Sequence, residues 1–163
     1  MTSNKESYEI NVHIEIPHGS SVKYEIEDGK LCVDRILSTS MTYPGNYGYI
    51  PKTLADDGDP IDVLVIRTQQ LIPMSFIKCR VLGMLITEDE KGYDQKIIAV
   101  PAESVDRSLA HLCDIDDINN IQLQVIRDFF THYKNNEPNK WVKVYDFQNA
   151  VETKQFIEAH TFE

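Results

Sequence analysis

The chain has 163 residues, 42% of them hydrophobic and 26% charged, with a formal net charge of −10. That length suits one compact domain, residues 1–163, which can build a core without disulfide staples, and the acidic balance argues against nucleic acid or an anionic membrane as partner, since both need a basic surface. No apolar run reaches membrane-spanning length, the opening MTSNKESYE has no hydrophobic signal core, and Cys32, Cys79 and Cys113 are too widely spaced for a redox or metal motif, so a cytoplasmic protein with free thiols is expected.

The first half reads as strands. EINVHIEI (9–16) alternates strictly, with Ile10, Val12, Ile14 and Ile16 on one face, which predicts a half-buried strand. SVKYEIE (21–27) and KLCVDRI (30–36) follow as a hairpin around Asp28-Gly29. MTYPGNYGYIP (41–51) is broken by Pro and Gly and reads as irregular. IDVLVI (61–66), SFIKCRVLGMLI (75–86) and QKIIAV (95–100) predict three more strands. In the second half, residues 114–134 place Ile118, Ile121, Val125, Phe129 and Tyr133 on one helical face, with Asp114 or Asp116 able to cap the start. KWVKVYDF (140–147) alternates again, and Asn149 followed by Glu152 marks a last helix over about 150–162. Short strands followed by helices give an α+β domain, which a small closed barrel with a long helix packed on it fits.

Familiar catalytic frames are absent. There is no glycine-rich nucleotide loop, no G-x-S-x-G elbow and no H-E-x-x-H. Acidic clusters stand in their place. LADDGDPIDVLV (54–65) packs Asp56, Asp57, Asp59 and Asp62 into seven positions before a strand. Two unit charges about 4 Å apart repel by roughly 4 kcal/mol at an effective dielectric near 20, so such a cluster calls for a cation. The EF-hand pattern fails in both possible registers, whether counted from Asp56 or Asp57. All-oxygen ligands favour Mg²⁺, Mn²⁺ or Ca²⁺ over zinc. Alone, the cluster also suits a solvated turn. A second acidic group, Asp89, Glu90 and Asp94 with Lys96, lies between two predicted strands and also suits a hairpin tip. A third, Glu15 with Lys23 and Glu25, also suits a solvated sheet face. Arg35 ends an apolar face and points toward the barrel mouth, Tyr43 and Tyr47 sit on the irregular loop, and Tyr133 and Lys134 close the long helix. Acids for metals beside Lys23, Arg35, Lys96 and Lys134 for phosphate form the layout of metal-assisted phosphoryl transfer to water. The competing classes are a non-catalytic metal-binding module, an oligonucleotide-binding barrel, and a broader phosphohydrolase acting on polyphosphate or nucleotides.

DGDPIDV (57–63) resembles the D-x-D-P-x-D signature of the family I soluble inorganic pyrophosphatases. The likeness extends in family order through IEIP (14–17), KYE (23–25), VDR (33–35), YPGNYGY (43–49), D-E-x-G-x-D-x-K (89–96), HYK (132–134) and KWVKV (140–144), and it matches the bacterial type. The resemblance implies a five-stranded OB-like barrel with two main helices, and hydrolysis of pyrophosphate to two phosphates with several Mg²⁺ ions, Mn²⁺ being a substitute. It implies that Asp57, Asp62, Asp89, Asp94 and Glu15 hold metals and that Asp59 takes the proton of the attacking water. Lys23, Arg35, Tyr47, Tyr133 and Lys134 would contact substrate, with Glu25, Tyr43, Glu90 and Lys96 in support. It also implies a homohexamer. His132 matches a position near a subunit interface of hexameric members, and Asp128, one turn earlier, stands where some members carry His.

Overall fold

Five strands close on themselves. The computed structural model describes residues 7–163, so most of the polar opening segment lies outside the described residues. The elements are β1 (Glu9–Ile16), β2 (Val22–Glu27), β3 (Lys30–Ile36), β4 (Asn46–Tyr49), β5 (Asp62–Val65), β6 (Phe76–Asp89), β7 (Gly92–Pro101), α1 (Asn120–His132), β8 (Val142–Asn149) and α2 (Ala150–Ala159). β1 pairs with β4, β4 with β5, β5 with β7, β7 with β6, and β6 returns to β1. The expected α+β architecture, a closed five-stranded ring with two helices, is therefore the one observed.

β6 is long enough to serve two partners. Its first residues, Phe76–Arg80, pair with β1, and its later ones, from Gly83 to Asp89, pair with β8. The switch falls at a register shift between Val81 and Gly83. A Cβ on Gly83 would stand 2.3 Å from the Gln148 carbonyl oxygen, so glycine permits the crossing of β6 and β8. β5 and β7 run parallel, with Asp62 opposite Lys96. Both faces of this pair are buried, which explains why VLVI (63–66), after Asp62, is continuously apolar and does not alternate. Val63, Val65, Ile97 and Ala99 join Ile10, Val12 and Ile14 of β1 in one cluster that also takes Ile157 of α2. Leu64, Ile98 and Val100 face a second cluster beneath Ile126, Phe129 and Phe130 of α1.

The expectations change in two places. The stretch 41–51 is not wholly irregular: Asn46–Tyr49 is a strand of the ring. Gly48 lies so close to β1 that a Cβ would come within 1.9 Å of the His13 carbonyl oxygen, so the residue that reads as a strand breaker is what lets the strands approach. The long helix does not begin at 114. Asp114 caps a 3₁₀ turn over Ile115–Asp117, and α1 starts later, capped by Asn119, whose side chain accepts from the Gln122 N–H. Its buried face is accordingly Ile126, Phe129 and Phe130, while Ile121 and Val125 are 80% and 51% exposed. β2 and β3 form the expected hairpin, as a separate two-stranded sheet outside the ring.

Candidate active site

The acid-rich loop before β5 is shaped by its own backbone. The Ala55 N–H donates to the Asp59 carbonyl at 2.8 Å and the Gly58 N–H to the Ala55 carbonyl at 3.0 Å. Gly58 adopts φ +89°, a left-handed conformation that favours glycine. Asp57 Oδ1 accepts from the Asp59 N–H at 3.1 Å. Behind the loop, the buried Thr53 hydroxyl donates to the Ile50 carbonyl at 2.7 Å and accepts from the Ile61 N–H at 2.9 Å. The turn thus presents Asp57, Asp59 and Asp62 to one cavity. Asp56 points elsewhere, with a carboxylate oxygen 3.6 Å from His160 Nε2.

The remaining walls come from four places. The β6–β7 hairpin supplies Asp89, Glu90, Asp94 and Lys96; the β2–β3 hairpin supplies Lys23, Glu25 and Arg35; β1 supplies Glu15; and the end of α1 supplies Tyr133 and Lys134. Tyr43 and Tyr47 close the floor. Every residue given a metal-holding, proton-taking, substrate-contacting or supporting role from the sequence lines this cavity of about 270 Å³, whereas Asp56, Asp128 and His132 do not.

Lys96 is the hub of the inner wall. Its ammonium lies 2.7 Å from Asp94 Oδ2, 2.9 Å from Asp62 Oδ2 and 2.6 Å from the Tyr47 hydroxyl. Burial pulls its pKa down, but Asp62 and Asp94 win and hold it well above the ordinary lysine value. Lys134 reaches Asp89 Oδ2 at 2.9 Å, with Glu90 at 3.9 Å, and Lys140 approaches Glu90 at 3.7 Å. On the outer wall Arg35 Nε donates to Asp34 Oδ2 at 2.8 Å, Arg35 Nη1 donates to Glu137 Oε1, and Lys23 stands 3.4 Å from Asp34.

The carboxylates diverge in character. Burial pushes Glu15 up to about 7, assisted by Asp62 and Glu25 and opposed by the Ile26 N–H that it accepts at 3.0 Å. Burial also raises Asp57, with Asp94 and Asp59 adding to it, and raises Asp94 despite Lys96. Asp89 goes the other way: burial would raise it, but Lys134 and the Lys91 N–H hold it below the usual carboxylate range. Tyr43 and Tyr47 are buried phenols whose pKa burial lifts well above 10. The Tyr43 hydroxyl is buried with no hydrogen-bond partner among the described residues.

Among the described residues no three Asp, Glu, His or Cys side chains converge closely enough to cage a metal unaided. The donor chemistry nevertheless fits a hard cation. The cavity wall carries eight carboxylates against six cationic side chains, and three of those carboxylates are raised above their ordinary pKa. An incomplete protein cage suits Mg²⁺, which usually takes one or two carboxylates and completes its octahedron with water and substrate phosphate.

Some cavity residues escape the sequence reading. Lys140 opens the KWVKV stretch and could have been found there. Lys91 sits at the hairpin tip with no pattern to single it out. Asp34 and Glu137 act only through Arg35 and Lys23, and no local spacing connects Glu137 to Arg35 across the chain.

A family model for inorganic pyrophosphatase matches residues 12–162. An inorganic pyrophosphatase of Nanoarchaeum equitans is 51% identical over 150 residues, covering 92% of this chain and 94% of that protein. One from Rickettsia conorii is 51% identical over 154 residues, covering 93% and 89%. The solved inorganic pyrophosphatase of Helicobacter pylori superposes with a TM-score of 0.90 at 40% identity, covering 97% of this chain and 96% of that one. Fold, cavity and likeness converge: the chain belongs to family I of the inorganic pyrophosphatases.

Proposed function

We propose that the protein hydrolyses inorganic pyrophosphate to two orthophosphates by water attack, with Mg²⁺ as the activating cation and Mn²⁺ able to replace it. The observation that carries this reading is the composition of the cavity wall: cations fit to grip phosphate are set within a surplus of carboxylates, eight to six. A tri- or tetra-anion entering alone would meet net repulsion, so substrate and divalent cations must enter together.

Asp57, Asp62 and Asp94 would hold the first activating cation, with Asp62 also able to reach a second, Asp89 and Asp94 available to a further one that comes with substrate, and Glu15 able to assist through water. A divalent cation there supplies positive charge against phosphate oxygens and lowers the pKa of nearby water. Asp59 takes the proton of the attacking water. A weak base would suffice there, since a bound divalent cation would acidify that water. Lys23, Arg35, Tyr133 and Lys134 hold the two phosphoryl groups and stabilise the charge that grows on the departing one. Tyr47 lies beside the leaving group. Lys96 supports this set by fixing the orientation of Asp62 and Asp94, and Glu25, Tyr43 and Glu90 buttress the neighbouring positions.

Residues 1–163 act as a single pyrophosphatase domain working in the cytoplasm. We assign it a homohexamer; the exposed Ile121 and Val125, on the same helix as Asp128 and His132, support a subunit contact. Light scattering checks the assembly, and a monomeric mass overturns it. The activity is tested by phosphate release from pyrophosphate with Mg²⁺, with Mn²⁺ and in EDTA, with ATP as the competing substrate. Release that needs the metal and prefers pyrophosphate is expected; a folded protein silent with pyrophosphate and Mg²⁺ overturns the reading.

A further inference from the structure

The β2–β3 hairpin carries Lys23, Glu25 and Arg35, yet it forms no ladder with the ring. Its base is anchored by backbone bonds of Gly19 and Ser20 to Tyr43 and by Tyr24 and Leu37 against the core, and further along its length side-chain ties add to its placement. On one side Glu15 of β1 accepts the Ile26 N–H at 3.0 Å. On the other, the loop after α1 reaches back to the end of β3. Asn136 donates to the Ser38 carbonyl at 2.9 Å, and Glu137 accepts from Arg35 Nη1 across 102 positions of sequence. The loop is built to make this reach: Asn136 and Asn139 take φ +72° and +61°, and the Glu137 N–H folds back onto the Lys134 carbonyl at 3.1 Å.

Arg35 has reason to need such a partner. Its side chain is 33% exposed, and a long arginine at that exposure keeps most of its rotamer freedom unless it is tethered. Asp34 alone holds Nε and leaves the rest of the fork free to swing. Glu137, only 13% exposed, pins Nη1 as well. Two of the five donors are then fixed, and Nη2 is left without a protein acceptor among the described residues on a side chain that lines the cavity. Glu137 also lies three residues after Lys134, so one short loop sets the distance between the cation of the hairpin and the cation at the helix end.

We propose that Glu137 is a positioning residue for pyrophosphate binding. It orients the Arg35 guanidinium and fixes its spacing from Lys134, so that both cations meet the substrate without paying to be ordered first. The proposal rests on the reading that Arg35 binds pyrophosphate. The alternative consequence of the same contact is competition, in which the Glu137 carboxylate draws Arg35 away from phosphate; that predicts a lower KM when the carboxylate is removed.

The test is steady-state kinetics at saturating Mg²⁺ on Glu137→Ala, Glu137→Gln, Arg35→Ala and the Arg35→Ala/Glu137→Ala double variant, with limited trypsin cleavage at Lys30 as a readout independent of turnover. Glu137→Ala is expected to raise KM roughly tenfold while kcat moves less than about twofold, because uniform binding is lost and the reacting groups are untouched. Glu137→Gln keeps an acceptor and recovers most of that loss. In the Arg35→Ala background the second substitution adds nothing further to KM. Cleavage at Lys30 accelerates in Glu137→Ala. An unchanged or lowered KM in Glu137→Ala, a Gln variant as impaired as Ala, or additive effects in the double variant overturn the proposal. If Arg35→Ala itself leaves KM unaltered, the substrate-binding reading of Arg35 fails; if Arg35→Ala raises KM and Glu137→Ala does not, the positioning role alone fails. Should Glu137→Ala be unfolded, the Gln variant decides: KM within about threefold of wild type with Lys30 protected supports the role, and a larger rise or faster cleavage overturns it.

Discussion

The two walls of the cavity are built on opposite principles. On the barrel side, Asp62, Asp94 and Lys96 belong to strands of the ring, and Lys96 is 3% exposed with three polar partners. On the hairpin side, Lys23 and Arg35 are about one-third exposed and are held by Asp34 and Glu137. On the proposed roles, Asp62 and Asp94 need geometry fixed to fractions of an ångström, and the closed ring provides it for these two, while Asp57 and Asp59 sit on the loop before β5. Cations that must take up substrate and release product suit a part that is tethered and not woven in. Buried charge is costly to disturb, whereas a half-exposed ion pair is worth little to stability.

That contrast is broken most severely at Lys96. Lys96→Met leaves Asp62 and Asp94 facing each other unpaired, and breaking such a buried pair costs about 3–5 kcal/mol, to be read from denaturant midpoints; a loss below about 1 kcal/mol would mean the inner wall is no stiffer than the outer. Asp59→Asn comes next. It is expected to lower kcat by roughly 10²–10⁴-fold while calorimetry finds Mg²⁺ affinity near wild type, whereas Asp62→Asn weakens Mg²⁺ binding. Equal loss of metal affinity in both would erase the division of roles. A smaller effect is expected from protons. Burial places the Glu15 carboxyl near 7, above its unfolded value of 4.5. A raised carboxyl binds its proton more tightly in the folded state, so this contribution to stability is fully present below pH 4.5 and is lost as pH rises through 7. Thermal melts in EDTA should show that slope in the wild type and lose it in Glu15→Gln; an identical slope in both contradicts the assignment. The gentlest probe is thiol labelling. Cys79, buried in the ring, has its thiol pushed up to about 12 by burial, while Cys32 lies on the hairpin and Cys113 is exposed. A disulfide reagent should modify Cys113 first, then Cys32, and reach Cys79 only on unfolding. Early loss of Cys79 would mean that the ring opens as readily as the hairpin.

Much of this arrangement is legible in the sequence because it is carried by dense, local chemistry. Asp57, Asp59 and Asp62 lie close together before or at the start of one strand, and the alternation of residues 9–16 or the continuous run at 63–66 reports burial on one face or two. What stays hidden is set by partners distant in the chain. Gly48 reads as a breaker because the His13 carbonyl that requires it lies on another strand. The start of α1 shifts from Asp114 to Asn119 because the 3₁₀ turn claims Asp114, which also accepts the Ala150 N–H from the start of α2. Ile121 and Val125 keep a helical period yet face outward, since periodicity marks a stripe without saying what covers it. Glu137 is invisible for the same reason: its role exists only through an arginine 102 positions away.

The parallel pairing of β5 with β7 has a consequence for how the molecule acquires its activity. Asp62 and Lys96 face one another in register, but the chain between them must first run the length of β6, turn and come back. Contacts of that separation are slow to form, because the loop must close before the pairing can stabilise it. No fragment ending before β7 holds the Lys96 hub, and no early hairpin can assemble a working centre. Regained phosphate release during refolding is therefore a clock for closure of the whole ring, and it should lag behind the recovery of secondary structure.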